Sequence, residues 1–466
     1  MSEEAFLNDV DWLDNLKLRV SYGEVGNDGI NSSLWSQNWE ATSDKRYQGA
    51  VNGAFLPSYS LGADMANKDL KWETTITRNI GVDFGFFNSR LTGTIDAYWN
   101  TTKDLLMKTA IPGITGFTST YANVGQTSNK GIEIALQGVL VKTRDWNVTA
   151  GFNINFNRGK VDKLADNVTG LYGTEWATSS TFPKSDYVLK EGRPVGLVRG
   201  LTADGFYTTD DFTYENGVYT LKEGVADVSS AVFPNYHLHN GMNERPAGQL
   251  AYPGMAKFKD LNDDGIINDD DVDVIGDMTP VHTGGFNINA TYKNFDLGLY
   301  FNWSYGNEIY NVNKLAALYG YKEGAVYENK LSIVKDCYKI YDVVNGELVA
   351  LTTPEQLNAA NANAKLPLAY SENGYVSTLG IEDGSYLRLN TLTLGYTLPK
   401  SMLQKAGISN LRVYGSIYNV FTITGYSGID AEVSTSTSTK TYPQLGMDWG
   451  TYPRARSFVL GVNLSF

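Results

Sequence analysis

Apolar and polar residues alternate over the last residues of the chain, from Arg456 to Phe466. One face of the extended strand predicted by this pattern is wholly apolar and comprises Phe458, Leu460, Val462, Leu464 and Phe466. A soluble domain rarely ends on an unprotected apolar strand, because chain termini fray in water. A transmembrane barrel uses such a strand, since its closing strand faces lipid on one side and a polar lumen on the other.

The same alternation recurs upstream and predicts about ten strands of roughly 9 to 14 residues, long enough for a tilted crossing of a bilayer. The first strand lies near Leu16 to Val25, and four hairpins follow, with turns at 88–89, 144–145, 293–294 and 399–409. The clearest alternation runs from Trp146 to Asn157, where an apolar face opposes a ladder of Asn, Thr and Gly. A water-exposed face would normally carry more Lys and Glu, so this ladder disfavours a soluble β-sandwich.

The predicted connections alternate between short turns and long loops. The long loops cover about 26–70, 104–129, 158–282, 306–385 and 424–454. Outer-membrane barrels sort their connections in this way, with short periplasmic turns and long extracellular loops. Aromatic residues fall near both ends of the strands, as interfacial girdles do, at Trp72, Trp99, Trp303, Trp146 and Phe466. We therefore predict an all-β fold, an antiparallel transmembrane β-barrel segment.

Composition and charge agree with this fold. The 466 residues include 47 Gly and 30 Tyr, and the single cysteine, Cys337, excludes an internal disulfide. The net charge of −13 argues against nucleic acid as a partner. Two explanations of the acidic residues remain open, namely solubility and a cation-binding outer surface. No apolar stretch approaches the roughly 18 residues of a transmembrane helix. The acidic start lacks a signal peptide, so we expect a processed chain or a piece of a longer one.

The segment 260–271 has the spacing of an EF-hand calcium loop. Its candidate ligands are the side chains or, at position 7, the backbone carbonyl of Asp260, Asn262, Asp264, Ile266, Asn268 and Asp271. Ca²⁺ takes about six to eight oxygens, and Gly265 permits the tight turn. Position 12 is Asp instead of the usual Glu, which is expected to weaken the site. We predict a structural Ca²⁺ within the loop region 158–282; the alternative is an acidic surface turn capped by its own side chains.

Other candidate sites are weaker. His237 and His239 could ligate a metal together, but no clear third ligand accompanies them. Aromatic residues in the predicted outer loops could stack on sugar rings or pack within the loops: Trp35, Trp39, Trp176, Tyr172, Tyr187 and Tyr207. We find no phosphate-binding glycine loop and no nucleophile elbow. A glycan-active enzyme is therefore disfavoured, and a surface module that binds glycans without transport is the alternative to a transporter.

Several segments together resemble the SusC/RagA type of TonB-dependent outer-membrane transporter from Bacteroidetes. They are LKLRVSYGEVGN (16–27), 70–106, VGQTSNKGIEIAL (124–136), FKDLNDDGIINDDDVDVIGD (258–277), SYLRLNTLTLGYTLPKSML (385–403), 411–432 and the terminal strand. They cover the chain nearly end to end in the order of that family. On this resemblance, residues 1–466 match the C-terminal half of a transporter barrel of about 22 strands, without its plug domain, TonB box or signal peptide.

The resemblance implies import of glycans or peptides across the outer membrane. A SusD-like surface lipoprotein would act as lid, and TonB with ExbB and ExbD would supply energy through the missing N-terminal part. It also implies that Phe466 helps to mark the chain for the barrel-assembly machinery. Transport by this chain alone is not expected. An open sheet in lipid leaves unpaired backbone groups on both edges, and each costs several kcal/mol.

Overall fold

Ten long strands form one antiparallel sheet in which each strand pairs with its neighbour in the sequence. The computed structural model describes residues 10–29, 34–37, 39–42, 49–56, 58–62, 64–165, 168–177, 181–233, 245–318, 331–369, 374–404, 407–435 and 444–466. The strands are β1 (Leu13–Asn27), β2 (Glu73–Phe86), β3 (Leu91–Ala110), β4 (Ser119–Lys142), β5 (Trp146–Lys163), β6 (His282–Tyr292), β7 (Phe295–Tyr305), β8 (Tyr386–Thr397), β9 (Asn410–Thr424) and β10 (Ser457–Ser465). The predicted all-β antiparallel fold with about ten strands is confirmed.

The cross-strand pairing aligns the alternating residues of neighbouring strands, so that rows of mainly apolar residues and rows of mainly polar residues run across the sheet. One row of paired residues on β1 to β5 consists of Leu18, Val82, Ile95, Ile134 and Ile154. The neighbouring row, on the opposite face, consists of Lys17, Asp83, Thr94, Ala135 and Asn153. We call these the apolar face and the polar face. Leu18 is 52% exposed and Leu460 is 90% exposed, so the apolar face requires a nonaqueous surrounding.

Short connections join the strands at one end of the sheet. The two-residue turn at 293–294 falls where it was predicted, and the turn at 143–145 is one residue longer than the prediction. The first hairpin differs more. Its turn comprises residues 87–90, and Phe87, Asn88 and Ser89 all have positive φ. The predicted two-residue turn at Asn88-Ser89 is therefore wrong, because three successive left-handed residues make a wider reversal.

Strands β3 and β4 are longer than the predicted crossing length, with 20 and 24 residues. The predicted long loop 104–129 is therefore wrong, since only residues 111–118 connect the two strands. Beyond the apolar rows β3 carries three consecutive apolar residues, Leu105, Leu106 and Met107, beside shifts of its register with β4. The period-two signal is therefore lost while the backbone ladder continues. The short strand Asp64–Met65 runs parallel to the outer part of β4.

The long connections contain short paired strands of their own. They are Trp39–Thr42 with Ser58–Leu61, Ala50–Val51 with Ala54–Phe55, Leu171–Gly173 with Tyr187–Leu189, Leu197–Leu201 and Val272–Asp277, Ala203–Phe206 with Ala256–Phe258, Phe212–Glu215 with Val218–Leu221, Asp227–Val228 with Ile266–Ile267, Glu308–Asn311 with Ile381–Asp383 and Met447–Asp448, and Tyr341–Val344 with Glu347–Ala350. The helices are Val312–Leu318, Pro354–Asn361 and Lys400–Leu403, and 3-10 turns occur at Gly113–Thr115, Thr209–Asp211, Asp269–Asp271, Ser332–Asp336 and Thr378–Gly380.

Three of the long connections fold together into one structure, here called the loop body: the described residues of 164–281, 306–385 and 425–456. Its main core joins the first two connections through buried side chains that include Leu201, Tyr219, Tyr252, Leu357 and Tyr375. The backbones also bond directly, since the Leu201 amide donates to the Val376 carbonyl over 2.9 Å. The third connection is attached by the Tyr187 hydroxyl, which donates to the Leu445 carbonyl over 2.8 Å.

The two outermost strands, β1 and β10, do not pair with each other. In the described part of the chain β1 pairs only with β2, and β10 only with β9. The sheet is therefore open. Among the described helices, none combines the length and the apolar character that crossing a membrane requires.

Candidate functional site

The polar face carries charged side chains that are paired with one another. Arg19 on β1 binds Asp83 on β2 over 2.8 Å and Asp96 on β3 over 2.9 Å. On the other half of the sheet, Arg412 on β9 donates from Nε to Asp296 on β7 over 2.8 Å. Because these carboxylates and guanidinium groups form ion pairs and hydrogen bonds with each other, the charges on this part of the polar face are fixed in position.

Amide and hydroxyl side chains occupy much of the remaining polar face. Asn289 on β6 donates to Asn287 over 3.1 Å and accepts from the Tyr300 hydroxyl on β7 over 3.1 Å. Asn302 on β7 donates to the Tyr386 hydroxyl on β8 over 3.2 Å. Neutral groups that both donate and accept hydrogen bonds suit a water-filled interior and a polar solute that passes along it.

A cavity of about 700 Å³ lies where the polar face of β5 to β8 meets the loop body. Its polar lining includes Asn153, Thr283, Asn302, Ser304, Asn307, Tyr386, Glu432 and Arg454. The carbonyl oxygen of the Asn302 side chain is buried and has no hydrogen-bond partner in the described structure. A buried acceptor of this kind costs free energy unless water or a ligand donates to it, so the cavity is suited to bind a polar molecule.

The buried Arg388 anchors the third connection against the polar face. It is 1% exposed, binds Asp430 through a short hydrogen bond, and lies 3.2 Å from Glu432. Arg454, more exposed, binds Glu432 from the other side over 3.0 Å. Burial alone would raise the pKa of the Asp430 carboxyl. Hydrogen bonds from the Glu432 amide and Arg388 have the larger effect, so the pKa of Asp430 is lowered. Arg388 thus holds Glu432, and through it Arg454, at the wall of the cavity.

The predicted calcium loop, 260–271, folds as a tight acidic turn. The Asp260 carboxylate accepts hydrogen bonds from the amides of Asp264 over 3.2 Å and of Gly265 over 2.7 Å. Gly265 has a φ of 84°, a left-handed conformation that favours glycine, as the spacing of the loop predicted. The Asp264 side chain accepts from the amide of Ile266 over 2.9 Å. The first half of the loop therefore has its side chains turned toward its own backbone.

The second half of the loop is anchored by a buried carboxylate. Asp271 accepts from the amides of Leu261 over 2.7 Å and Asn268 over 2.8 Å. Ile267 is buried in the core of the loop body, and the Ile266 carbonyl accepts from the Asn268 side chain over 3.3 Å. Among the described residues no three His, Cys, Asp or Glu side chains gather as a metal cluster. Calcium binding therefore stays a prediction.

The aromatic candidates for sugar stacking divide by exposure. The exposed members are Trp35, Trp39 and Tyr172. Tyr187 and Tyr207 are buried, so of the two alternatives they pack within the loops and do not offer a ring to a sugar. Trp176 contacts Tyr310 edge to face at a centroid distance of 6.4 Å. Local sequence could not separate these cases, because burial in the loop body depends on segments far apart in the chain.

Three further predicted residues have different outcomes. His237 and His239 lie outside the described residues. Phe466 follows β10 and is 87% exposed; its role in barrel assembly stays a prediction.

Sequence reasoning missed Arg388, although its alternation with Leu387 and Leu389 on β8 marks it as a charge on the polar face.

Comparison with known proteins agrees with this architecture. A family model described as "TonB dependent receptor-like, beta-barrel" matches residues 9–252. TonB-dependent receptor P3 of Formosa agariphila is 30% identical over 100% of this chain and 41% of its own length. TonB-dependent receptor SusC of Bacteroides thetaiotaomicron is 29% identical over 100% of this chain and 39% of its own. The structure of the RagAB peptide transporter superposes with a TM-score of 0.68 at 25% identity, over 99% of this chain and 42% of that one.

The chain spans about two fifths of the length of the curated relatives it matches. The predicted resemblance is confirmed by a family model that matches half of the chain and by the two named relatives. Proteins of this family are located in the outer membrane, which accounts for the exposed apolar face opposite a polar one. The chain therefore belongs to the TonB-dependent receptor-like β-barrel family, is of the SusC/RagA type, and is located in the outer membrane of a Gram-negative bacterium.

Proposed function

We propose that this chain forms the C-terminal barrel wall of an importer of oligosaccharides or peptides. The cavity between the polar face and the loop body is the observation that carries the proposal. It offers amide, hydroxyl and charged groups, with the unpartnered Asn302 oxygen among them. Each such group can bind a sugar hydroxyl or a peptide amide as cargo enters the barrel.

One relative supports peptides as cargo, since its solved structure is named a peptide transporter. Oligosaccharides enter the proposal through the resemblance to the SusC/RagA type. In this proposal a SusD-like surface lipoprotein covers the loop body, and TonB with ExbB and ExbD supplies energy through a part of the transporter outside this chain. The barrel-assembly machinery recognises the terminal strand through Phe466, and outer-membrane lipid covers the apolar face.

Substitution in the cavity tests the transport proposal. Asn153→Leu with Asn302→Leu replaces two polar lining groups, and Asn147→Leu is the control on the polar face near the short turns. We expect the double variant to slow uptake of labelled oligosaccharides or peptides in cells at least several-fold, while the control keeps the uptake rate of the unchanged protein. Equal uptake by both variants, at equal amounts of assembled barrel, contradicts a role of the cavity in import.

A structural Ca²⁺ on the loop 260–271 belongs to the same proposal. Carboxylates can accept from backbone amides and bind a metal at once, because each oxygen has two lone pairs. Asp260→Asn with Asp264→Asn removes the negative charges of two proposed ligands, and Asp263→Asn removes one charge at a position that is not a proposed ligand. We expect Ca²⁺ to slow loop proteolysis and release heat in the unchanged protein and the control. No heat and no protection, with chelator and excess metal as controls, would refute this site.

A glycan-binding surface protein without transport is the second candidate. The exposed Trp35, Trp39 and Tyr172 favour it, since aromatic rings stack on sugars. The two functions differ in the fate of the bound glycan. Glycan bound at the cell surface without accumulation inside the periplasm would select the binding module, and energy-dependent accumulation would select the importer.

A further inference from the structure

Three basic side chains stand close together on the apolar face. Lys130 on β4 is paired directly with Arg158 on β5, and on its other side with Trp99 on β3. Arg78 on β2 is paired with Tyr22 on β1, and the β2–β3 register places it opposite Trp99. The three charges therefore belong to one row that crosses adjacent strands, with Trp99 between Arg78 and Lys130.

The row lies at the edge of the apolar surface. The row immediately toward the short turns consists of Val20, Ile80, Ala97, Ile132 and Phe156. Barrel strands are tilted relative to the membrane normal. Residues paired across neighbouring strands therefore differ in membrane depth by a few ångström from one strand to the next. The long stems of Arg and Lys can compensate for this difference and bring their charges to one level. That level is the boundary between lipid chains and headgroups, where Trp99 is also favoured.

Within the part of the chain that the structure describes, protein acids do not neutralise this row. Among the described residues none of the three basic side chains forms an ion pair. Arg78 is 3.5 Å from the Thr101 hydroxyl, and Arg158 donates to the carbonyl of Pro280 over 2.6 Å. The nearby Lys160, by contrast, is paired with Asp162 over 3.2 Å.

Lys130 and Arg158 are like charges directly opposite each other, an arrangement that destabilises a sheet. The chain as a whole carries a net charge of −13, so an unpaired basic cluster departs from its general character. An acidic residue on the neighbouring part of this face, Glu24, already accepts a short hydrogen bond from the Tyr22 hydroxyl. An external anion at this level would remove the repulsion between Lys130 and Arg158.

We propose that this row is a binding site for a phosphorylated lipid of the outer leaflet. Arg78, Lys130 and Arg158 bind its phosphate oxygens, and its acyl chains lie on the apolar rows below. Guanidinium and ammonium groups bind phosphate strongly through charge-assisted hydrogen bonds. A lipid uses both the charges and the adjoining apolar surface, whereas a free phosphate ion uses the charges alone.

Lipid binding to the intact protein, extracted in mild detergent and delipidated, tests this site. The probes are a phosphorylated lipid A, the same lipid after removal of its phosphates, and inorganic phosphate. The variant Lys130→Gln with Arg158→Gln removes two charges of the row. The control, Lys142→Gln with Arg144→Gln, removes the same charges from the opposite end of the barrel. We expect the first variant to bind phosphorylated lipid A on the order of tenfold more weakly and the control to bind it unchanged.

Assembly of each variant is checked by its resistance to unfolding in detergent. Lys130→Arg with Arg158→Lys keeps the charges and should keep binding, which separates loss of the site from loss of the fold. Equal binding by the Gln variant and the control would overturn the proposal. So would equal binding of the dephosphorylated lipid, or complete competition by inorganic phosphate.

Discussion

Arg19 and Asp96 bind each other across an intervening strand, over 2.9 Å, and the residue between them on β2 is Gly81. A Cβ atom at Gly81 would lie 2.7 Å from the Arg19 guanidinium and even closer to the Asp96 carboxylate. The absence of a side chain at Gly81 therefore makes this contact between β1 and β3 possible. The same arrangement recurs where Arg412 and Asp296 meet across Gly395.

Gly81→Ala should therefore weaken the barrel. The added methyl group displaces the charged groups, and over-packing of such a site costs about 1–3 kcal/mol. Gly85→Ala, on the same strand and face, is the control, because the nearest atom to its Cβ would be 3.5 Å away. Unfolding of the assembled barrel in urea, followed by its gel mobility, measures both. Similar midpoints for the two variants would show that the bridge does not depend on Gly81.

Arg388→Met should release the third connection of the loop body. It leaves the carboxylates of Asp430 and Glu432 near the sheet without their buried counterion, and such a loss costs about 3–5 kcal/mol. Arg454→Met removes a more exposed charge and should cost less than about 1 kcal/mol. Protease cleavage within 425–435 reports the release. Adding Asp430→Asn and Glu432→Gln to Arg388→Met should restore part of the resistance, and absence of any recovery would argue against an ionic anchor.

Acid should loosen the junction at Glu382. Burial opposes the charge of its carboxylate, but the Ser427 hydroxyl and amide, each at 2.9 Å, and the Lys314 ammonium at 3.1 Å hold its pKa below the ordinary value. The stability from these bonds is complete above pH 4.5, the unperturbed value, and is lost as the pH falls through the lowered value.

Proteolysis near Ser427 at a series of pH values measures this loss, with an acid-stable protease. Glu382→Gln should be cleaved faster than the unchanged protein at pH 6, and its cleavage should change less between pH 6 and pH 3. If the unchanged protein and Glu382→Gln share one pH profile, another group controls the junction.

Leu357→Ala should destabilise the loop body while the sheet remains assembled. Leu357, on the helix Pro354–Asn361, is fully buried in the core shared by the first two connections. Loss of a buried leucine side chain costs about 2–5 kcal/mol. The control is Leu348→Ala in the same connection, where the side chain is 68% exposed. Hydrogen exchange at Leu201 and Val376 should accelerate in the first variant only. If hydrogen exchange in Leu357→Ala accelerated only within the helix Pro354–Asn361, the first two connections would not be energetically coupled.

Alternation predicts strands wherever one face meets lipid and the other meets polar groups. Strand β5 satisfies this condition, and its predicted range, Trp146 to Asn157, lies within the observed Trp146–Lys163. The outer parts of β3 and β4 do not satisfy it, because Leu105, Leu106 and Met107 are consecutive on β3 and the register with β4 shifts beside them. The two strands stay paired through their backbones, but their side chains do not alternate there. The predicted loop 104–129 failed for this reason.

The loop body lay beyond prediction because its contacts join distant segments. Tyr207 and Leu357 share a core, yet nothing in the local sequence of either segment identifies the other as its partner. Arg388 could be placed on the polar face from its neighbours, but its partner Asp430 lies 42 residues further along. The spacing of the loop 260–271, by contrast, is local, and its turn at Gly265 formed as predicted.

The shared core of the loop body also limits how this protein can change. A new cargo requires new groups around the cavity, and these come from connections that stabilise one another. A substitution in one connection therefore has to preserve its contacts with the other two, and a single connection transplanted from a relative would expose an incomplete core. Divergence of specificity in this chain is expected to proceed by coordinated replacement of all three connections on an unchanged barrel wall.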